Sequence, residues 1–369
     1  MMKTATRFLA SLSTLAVAAA SASPAFAQSS DALVAAAKAE GELSVIALPH
    51  DWCGYGGMID GFKAKYGLKL NELNPDAGSG DEVEAIRANK GNKGPQAPDV
   101  IDVGLSFGPT AKSEGLLMAY KVPTWDSIPA DDKDADGAWY GDYYGVLTFE
   151  VNKDIVKTSP TDWPDLLGPD FKNSVALAGD PRASNQAILA VYAAGLGKAG
   201  GDATKAAQDG LDYFAAMNKA GNLVPTIGKV ASLAQGATPI VVRWDYNALA
   251  DRDTLKGNPP VDVVVPKSGV VAGVYVQAIS AFAPHPNAAK LWMDYVYSDE
   301  GQIAYLKGYC HPIRYQALVK DGKVPADLVK KLPPAEAYAK AVFPTIEQQN
   351  ASKTVITTGW DKTVGANVK

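Results

Sequence analysis

The chain has 369 residues, 47% of them hydrophobic and 20% charged, a globular composition with enough material for about two domains and no internal repeat or low-complexity tract. Its 35 basic and 40 acidic residues give a net charge of -5, which argues against nucleic acid as a partner. The first predicted element is an export signal. Lys3 and Arg7 lead into an apolar stretch at 8–20, and Ala25-Phe26-Ala27 forms a small-x-small cleavage site before Gln28. That stretch is too short for a bilayer span, and no later one has the roughly 20 uninterrupted apolar residues a span needs. Cleavage after Ala27 removes two basic and no acidic residues, leaving an exported, soluble chain of charge 33 − 40 = −7.

Strands and helices then alternate. "LSVIAL" (43–48) reads as a strand, followed by the polar loop "PHDWCGYGG" and an amphipathic helix over 58–66 with Met58, Ile59, Phe62 and Tyr66 on one face. "LKLNEL" (68–73) is a second strand, "NPDAGSG" (74–80) a turn, "DEVEAIRAN" (81–89) a helix, and "DVIDVG" (99–104) a buried strand. This rhythm argues for a parallel α/β sheet, in which loops beyond the strand C-termini share one ligand-collecting edge. A second block begins near residue 150. The 139–153 segment is one long strand with no break between the blocks; 174–196 reads as strand, polar loop and helix, and 238–250 repeats that order. The segment 261–283 returns as strands to the first block, and the rest is mostly helical. The expected architecture is two α/β lobes joined by two extended crossovers, with lobe one at 28–149 plus 270–369 and lobe two at 150–269.

At "APHPNAAKLWMDYVYSDEGQ" (283–302) the chain resembles periplasmic solute-binding proteins of ABC importers, in the branch with polyamine-, thiamine-, iron- and organophosphate-binding members. "GELSVIAL", "DVIDVG", "YGVLTFEVNKD" and "TDWPDLLGPDFKNSVAL" stand in the corresponding places and order. The resemblance implies a type II periplasmic-binding-protein fold with a ligand cleft and two-strand hinge. It also implies a periplasmic, monomeric receptor that closes on a small charged solute and delivers it to a membrane permease, without catalysis or cofactor.

The rival reading is a secreted serine hydrolase. Gly104-Leu105-Ser106-Phe107-Gly108 fits G-x-S-x-G after a strand, with Asp262 and His285 or His311 as partners, but no HGGG-like oxyanion loop is present. Metal chemistry has less support: the three histidines form no H-x-H or H-x-x-x-H pair. Iron-binding relatives use an adjacent tyrosine pair in the second lobe, whereas Tyr143-Tyr144 lies in the crossover and Arg243-Trp244-Asp245-Tyr246 occupies the family position; no metal site is expected, and ferric iron stays as the third ligand alternative behind the amine and the organophosphate or carboxylate.

Two ligand chemistries compete for the cleft. An amine, with polyamine favoured, would use the ring faces of Trp52 and Trp244 and the carboxylates of Asp51, Asp142 and Asp245. An organophosphate or carboxylate would use helix-leading loops, including Ser79 and Ser184-Asn185, with charge from Arg182, Arg243 or His50. Tyr55, Ser106, Tyr143 and His311 complete the candidate set. Cys53 and Cys310 are an even pair in an exported chain, and the resemblance brings both to lobe one, so a disulfide is expected there that gathers His50, Trp52 and His311 at the cleft rim.

Overall fold

The computed structural model describes residues 30–332 and 335–369; the proposed signal segment lies outside the described residues. Lobe one starts with α1 (Asp31–Glu40) and runs β1 (Glu42–Ile46), α2 (Tyr55–Tyr66), β2 (Lys69–Leu73), α3 (Ser79–Ala88), β3 (Val100–Gly104), α4 (Phe107–Ser113) and β4 (Leu117–Met118). The crossover strand β5 (Tyr140–Asn152) leads to β6 (Val175–Leu177), α5 (Asn185–Lys198), α6 (Ala206–Ala220), α7 (Val230–Ala234), β7 (Ile240–Trp244), α8 (Asp245–Leu255) and β8 (Val261–Val264). The chain returns through β9 (Ala272–Ser280), α9 (Pro286–Val296), α10 (Asp299–Lys307), β10 (His311–Pro312), α11 (Tyr315–Lys320), α12 (Ala326–Val329) and α13 (Ile346–Thr363). Among the described residues no helix is long and apolar enough to cross a membrane.

The strand order is β2-β1-β3-β9-β5-β7-β6. β1 is parallel to β2 and β3, as the strand–helix alternation predicts, and β9 closes this sheet antiparallel to β3. Every residue of β3 is buried, so its apolar run reflects cover on both faces. β5 belongs to both sheets. Its first half, Tyr140 to Val146, pairs with β9; its second half pairs with β7 and β8, which fixes the relation of the lobes through one unbroken backbone. The segment between β8 and β9 makes the second crossing. A third lies beside it, where Val342 donates to Val270 and accepts from Ala272.

The last helix departs from the expected division. Residues 270–369 were assigned as a whole to lobe one, but α13 packs on α5 and α6. Trp360 is buried against Phe214, Asn218 Nδ2 donates to the Val364 carbonyl, and Ile227 N–H donates to the Lys369 carbonyl. Burial of Ile356 and Trp360 supplies the reason, since α5 and α6 otherwise leave apolar surface on that side. Sequence also places the start of the first amphipathic helix late: α2 begins at Tyr55, because Gly54 turns the chain at a φ of 75°.

Cys53 and Cys310 form a disulfide with Cα atoms 5.4 Å apart, tying the loop before α2 to the end of α10. The backbones meet closely there. A Cβ on Gly308 would lie 2.2 Å from the Gly54 nitrogen, so that residue must be glycine. The bond does not gather the three rim residues. His50 is exposed on Glu72, Trp52 donates to Tyr143, and His311 stacks on Tyr144.

Two outcomes follow. Alkylation of the unfolded, unreduced chain should add no alkyl group by intact mass, and the Cys53→Ser/Cys310→Ser pair should cost on the order of 2–5 kcal/mol, given so long a closed loop; two alkyl groups would mean no bridge. Gly308→Ala should lower stability by about 2 kcal/mol in denaturant titration through overpacking, and an unchanged midpoint would contradict the close approach.

Candidate functional site

A cavity of about 380 Å³ lies between the lobes. Lobe one supplies the loop after β1 (Asp51 and Trp52), the start of α3 (Ser79 to Glu82), Asp102 from β3 and Tyr275 from β9. From lobe two come the loop after β6 with Ser184 and Asn185, the turn before α7, and Arg243, Asn247 and Asp251. These are the loops and strand ends on the shared edge of each sheet, as an α/β fold requires. Gly104 ends β3 beneath Asn185; a Cβ there would come within 2.0 Å of the Asn185 side chain. The lobes also bond across the rim. Gly80 N–H donates to the Ala183 carbonyl at 3.3 Å, and Lys229 pairs with Asp76 at 2.9 Å, so the cleft is closed.

The lining is acidic. Asp51, Asp76, Asp81, Glu82, Asp102, Asp180 and Asp251 oppose only Lys229 and Arg243, seven carboxyls against two cations. Both cations are already engaged, Lys229 by Asp76 and Arg243 by Asp251 and Glu150. Burial pushes the Glu150 carboxyl up to about 8 despite the arginine.

Asp102 lies deepest in charge terms. Its Oδ2 accepts from Tyr55 and Tyr143 hydroxyls, each at 2.8 Å, and its N–H donates to Glu82 at 2.9 Å. Its Oδ1 is buried and has no protein partner. Burial and the neighbouring Asp142 hold the Asp102 carboxyl well above its usual range, against the pull of the two hydroxyls. Trp52 stands over this group, donating to the Tyr143 hydroxyl at 2.7 Å and meeting the rings of Tyr246 and Tyr275 edge-on at 5.4 and 5.7 Å. Asn185 Nδ2 and Asn247 Oδ1, both on lining residues, also lack partners.

Of the residues singled out in the sequence, Asp51, Trp52, Ser79, Ser184, Asn185 and Arg243 line the cavity. Tyr55 and Tyr143 stand one layer behind, against Asp102. The others lie elsewhere. Trp244 is fully buried beside Tyr246 and Gly273, because the strand period turns it away from the face that carries Arg243. The other aromatic that lines the cavity with Trp52 is Tyr275. Asp245 is buried, accepting from Tyr338 and from the Val146 and Tyr246 N–H groups. Arg182 binds Asp180, Asp361 and Asn367, fastening the C-terminal segment to lobe two. Burial lowers His311 to about 4, leaving a neutral ring on Tyr144.

Sequence reasoning missed Glu82, Asp102, Asn247 and Asp251. The signal for Asp102 was an acid inside a strand, "DVIDVG", whose remaining residues are apolar or glycine after its opening acid.

The strand–turn–helix around Ser106 exists, but the serine is 2% exposed and no histidine bonds it; His285 is held by Asp99, and Asp262 by Ser159. Tyr143 and Tyr144 project to opposite faces of β5, one toward Asp102 and one toward His311. Among the described residues no group of three His, Cys, Asp or Glu side chains is placed to hold a metal ion.

The family profile of bacterial extracellular solute-binding proteins matches residues 96–346. A Salmonella typhimurium (strain LT2) protein, provisionally described as a 2-aminoethylphosphonate-binding periplasmic protein, is 26% identical over 66% of this chain and 69% of its own length. The spermidine/putrescine-binding periplasmic protein of Escherichia coli (strain K12) is 27% identical over 71% of this chain and 76% of its own. Among solved structures, the periplasmic binding protein AfuA from Actinobacillus pleuropneumoniae, with fructose-6-phosphate bound, aligns with a TM-score of 0.66 at 23% identity, covering 88% of this chain and 98% of that one. With that match over 251 of 369 residues and the two-lobed type II fold around a closed cleft, the chain belongs to the family of bacterial extracellular solute-binding proteins.

Proposed function

We propose that this protein captures a small amine, of the polyamine or aminoalkyl class, and hands it to the permease of an ABC importer. The observation that carries the reading is Asp102 Oδ1, a buried, unpartnered carboxylate oxygen in a cavity where seven carboxyls meet two engaged cations. An ammonium group satisfies that oxygen and offsets the charge surplus, whereas an anion would add to it. Trp52 offers a ring to the cation's alkyl stem or charge. The ligands printed in the names of the two curated relatives, spermidine/putrescine and 2-aminoethylphosphonate, share a primary ammonium. A second reading within the same class has one observation behind it. Asn185 Nδ2 at the start of α5 is a free donor, which suits an amine carrying an anionic tail.

On this reading the protein acts as a monomeric periplasmic receptor without turnover, released by cleavage after Ala27. Residues 28–149 and 270–344 form lobe one, while 150–269 joins the C-terminal helix in lobe two. Closure encloses the solute between Asp102 and Trp52 on one side and Asn185, Arg243 and Asn247 on the other.

Thermal-shift and calorimetric titration against putrescine, spermidine, 2-aminoethylphosphonate, glucose 6-phosphate and ferric citrate should give stabilisation by one or more of the amines alone. Tighter binding of the sugar phosphate or of iron would refute the amine assignment. Asp102→Asn should weaken binding of the best amine about 100-fold, near 3 kcal/mol, because a charge-assisted contact becomes a neutral one. Trp52→Ala should cost about 1 kcal/mol. Incubation should leave the bound solute chemically unchanged, with Ser106→Ala indistinguishable; steady consumption would restore the hydrolase reading.

A further inference from the structure

Glu82 and Asp102 of the cavity wall meet Asp142 behind it, with no base among the three. Asp102 on β3 bonds Glu82 on α3 through its N–H, and it shares Tyr55 with Asp142 on β5, at 2.8 Å to Asp102 and 3.3 Å to Asp142. Asp142 is fully buried, and its Oδ2 accepts from Tyr305 of α10 at 2.8 Å. Glu82 is 1% exposed. Among the described residues, the titratable groups that bond the three or act on them from α2, α8, α10, β5, β9 and the residue after α9 are tyrosines. Tyr55, Tyr143 and Tyr305 bond them, and Tyr246, Tyr275 and Tyr297 lie within electrostatic reach. Asp81 at the start of α3 adds a further negative charge near Glu82. Among the described residues no lysine, arginine or histidine pairs with Glu82, Asp102 or Asp142, and the cavity's arginine is held by Glu150 and Asp251.

Tyrosine hydroxyls orient a carboxylate but do not neutralise it. Three ionised carboxyls so buried would repel one another without compensation, a cost met by binding a proton or by a cation from outside. The second observation decides where that cation goes: Asp102 alone of the three lines the cavity with a partnerless buried oxygen, Oδ1.

We propose that Glu82, Asp102 and Asp142 together hold an exchangeable proton in the ligand-free protein, and that docking of the amine's ammonium on Asp102 Oδ1 releases that proton to solvent. Charge balances, since one cation enters as one proton leaves. Asp142 acts through Asp102 from behind the wall, and Glu82, which lines the cavity, holds the Asp102 N–H; neither offers the solute a bare buried oxygen, and both make capture proton-linked. The inference rests on the amine reading and gives it a pH sign. Burial pushes Asp142 up to about 7, and burial raises Glu82 as well, so the ligand-free protein binds protons that the amine complex does not. Affinity therefore rises with pH while the ligand-free carboxyls hold that proton and levels off once all three are ionised without it. The amine itself stays protonated throughout, its pKa lying near 10 as for a lysine.

The test is calorimetry of putrescine and spermidine binding, and of 2-aminoethylphosphonate binding with its own phosphonate ionisation subtracted, at pH 6 in two buffers of different ionisation heat, which counts protons released. About one proton should be released per amine bound, with affinity climbing by up to about tenfold per pH unit between roughly pH 5 and 7. An infrared difference spectrum on binding should lose a protonated-carboxyl band. In Asp142→Asn the release and the pH slope should shrink toward zero while the amine still binds, and Glu82→Gln provides the same readout if that variant does not fold. Glu150→Gln, which alters a raised carboxyl outside the three, should leave proton release in place. Amine binding with no proton released and a flat pH profile overturns the exchange and leaves the amine reading standing. Failure of all three amines at every pH overturns that reading and this inference with it.

Discussion

The structure depends on one strand that serves two sheets. β5 pairs with β9 through its first half and with β7 and β8 through its second, so neither lobe is complete without it. Because side chains alternate along a strand, the same segment turns Tyr143 toward Asp102 and the cleft and Tyr144 toward His311 on the far side. It also carries Asp142 beneath the cavity and Glu150 beside Arg243. The hinge and the electrostatic floor of the site are therefore one piece of backbone, and lobe movement about β5 would be felt by the groups that set the cavity's charge.

That charge is the second constraint. Folding places carboxyls from α3, β3 and β5 in one buried network and gives them hydroxyl donors in place of cations. Apart from the bare Asp102 Oδ1, such a network is supplied with hydrogen bonds but not with compensating charge. Arg243 shows the opposite solution, a buried base bracketed by Glu150 and Asp251. The two arrangements face the same cavity. One is self-sufficient in charge and the other is not, so on the amine reading the entering cation completes it and sign is selected before shape.

Much of the fold was legible in the sequence because periodicity is a local property. The strand–helix alternation, the unbroken 139–153 segment and the disulfide partners all follow from residues in short windows or from a single even pair. The polar loops after β1, β2 and β6 were found as cleft loops for the same reason, and six of the marked residues reach the cavity. What was hidden depends on three dimensions. Trp244 sits at a strand end like Trp52, but only the sheet's register shows that it faces inward while Arg243 faces the cleft. Glu82 reads as one more exposed acid on a helix until α3 packs it against β3. The destination of α13 is set by apolar surface on α5 and α6, more than a hundred residues away along the chain.

On the amine reading a positive charge belongs at Asp102. A high-resolution structure of the protein with its best-binding amine tests this most directly. The account predicts the ammonium nitrogen within about 3 Å of Asp102 Oδ1, with the alkyl stem along Trp52. An anionic group at that position, or an ammonium bound elsewhere in the cleft with Asp102 Oδ1 still bare, would contradict it.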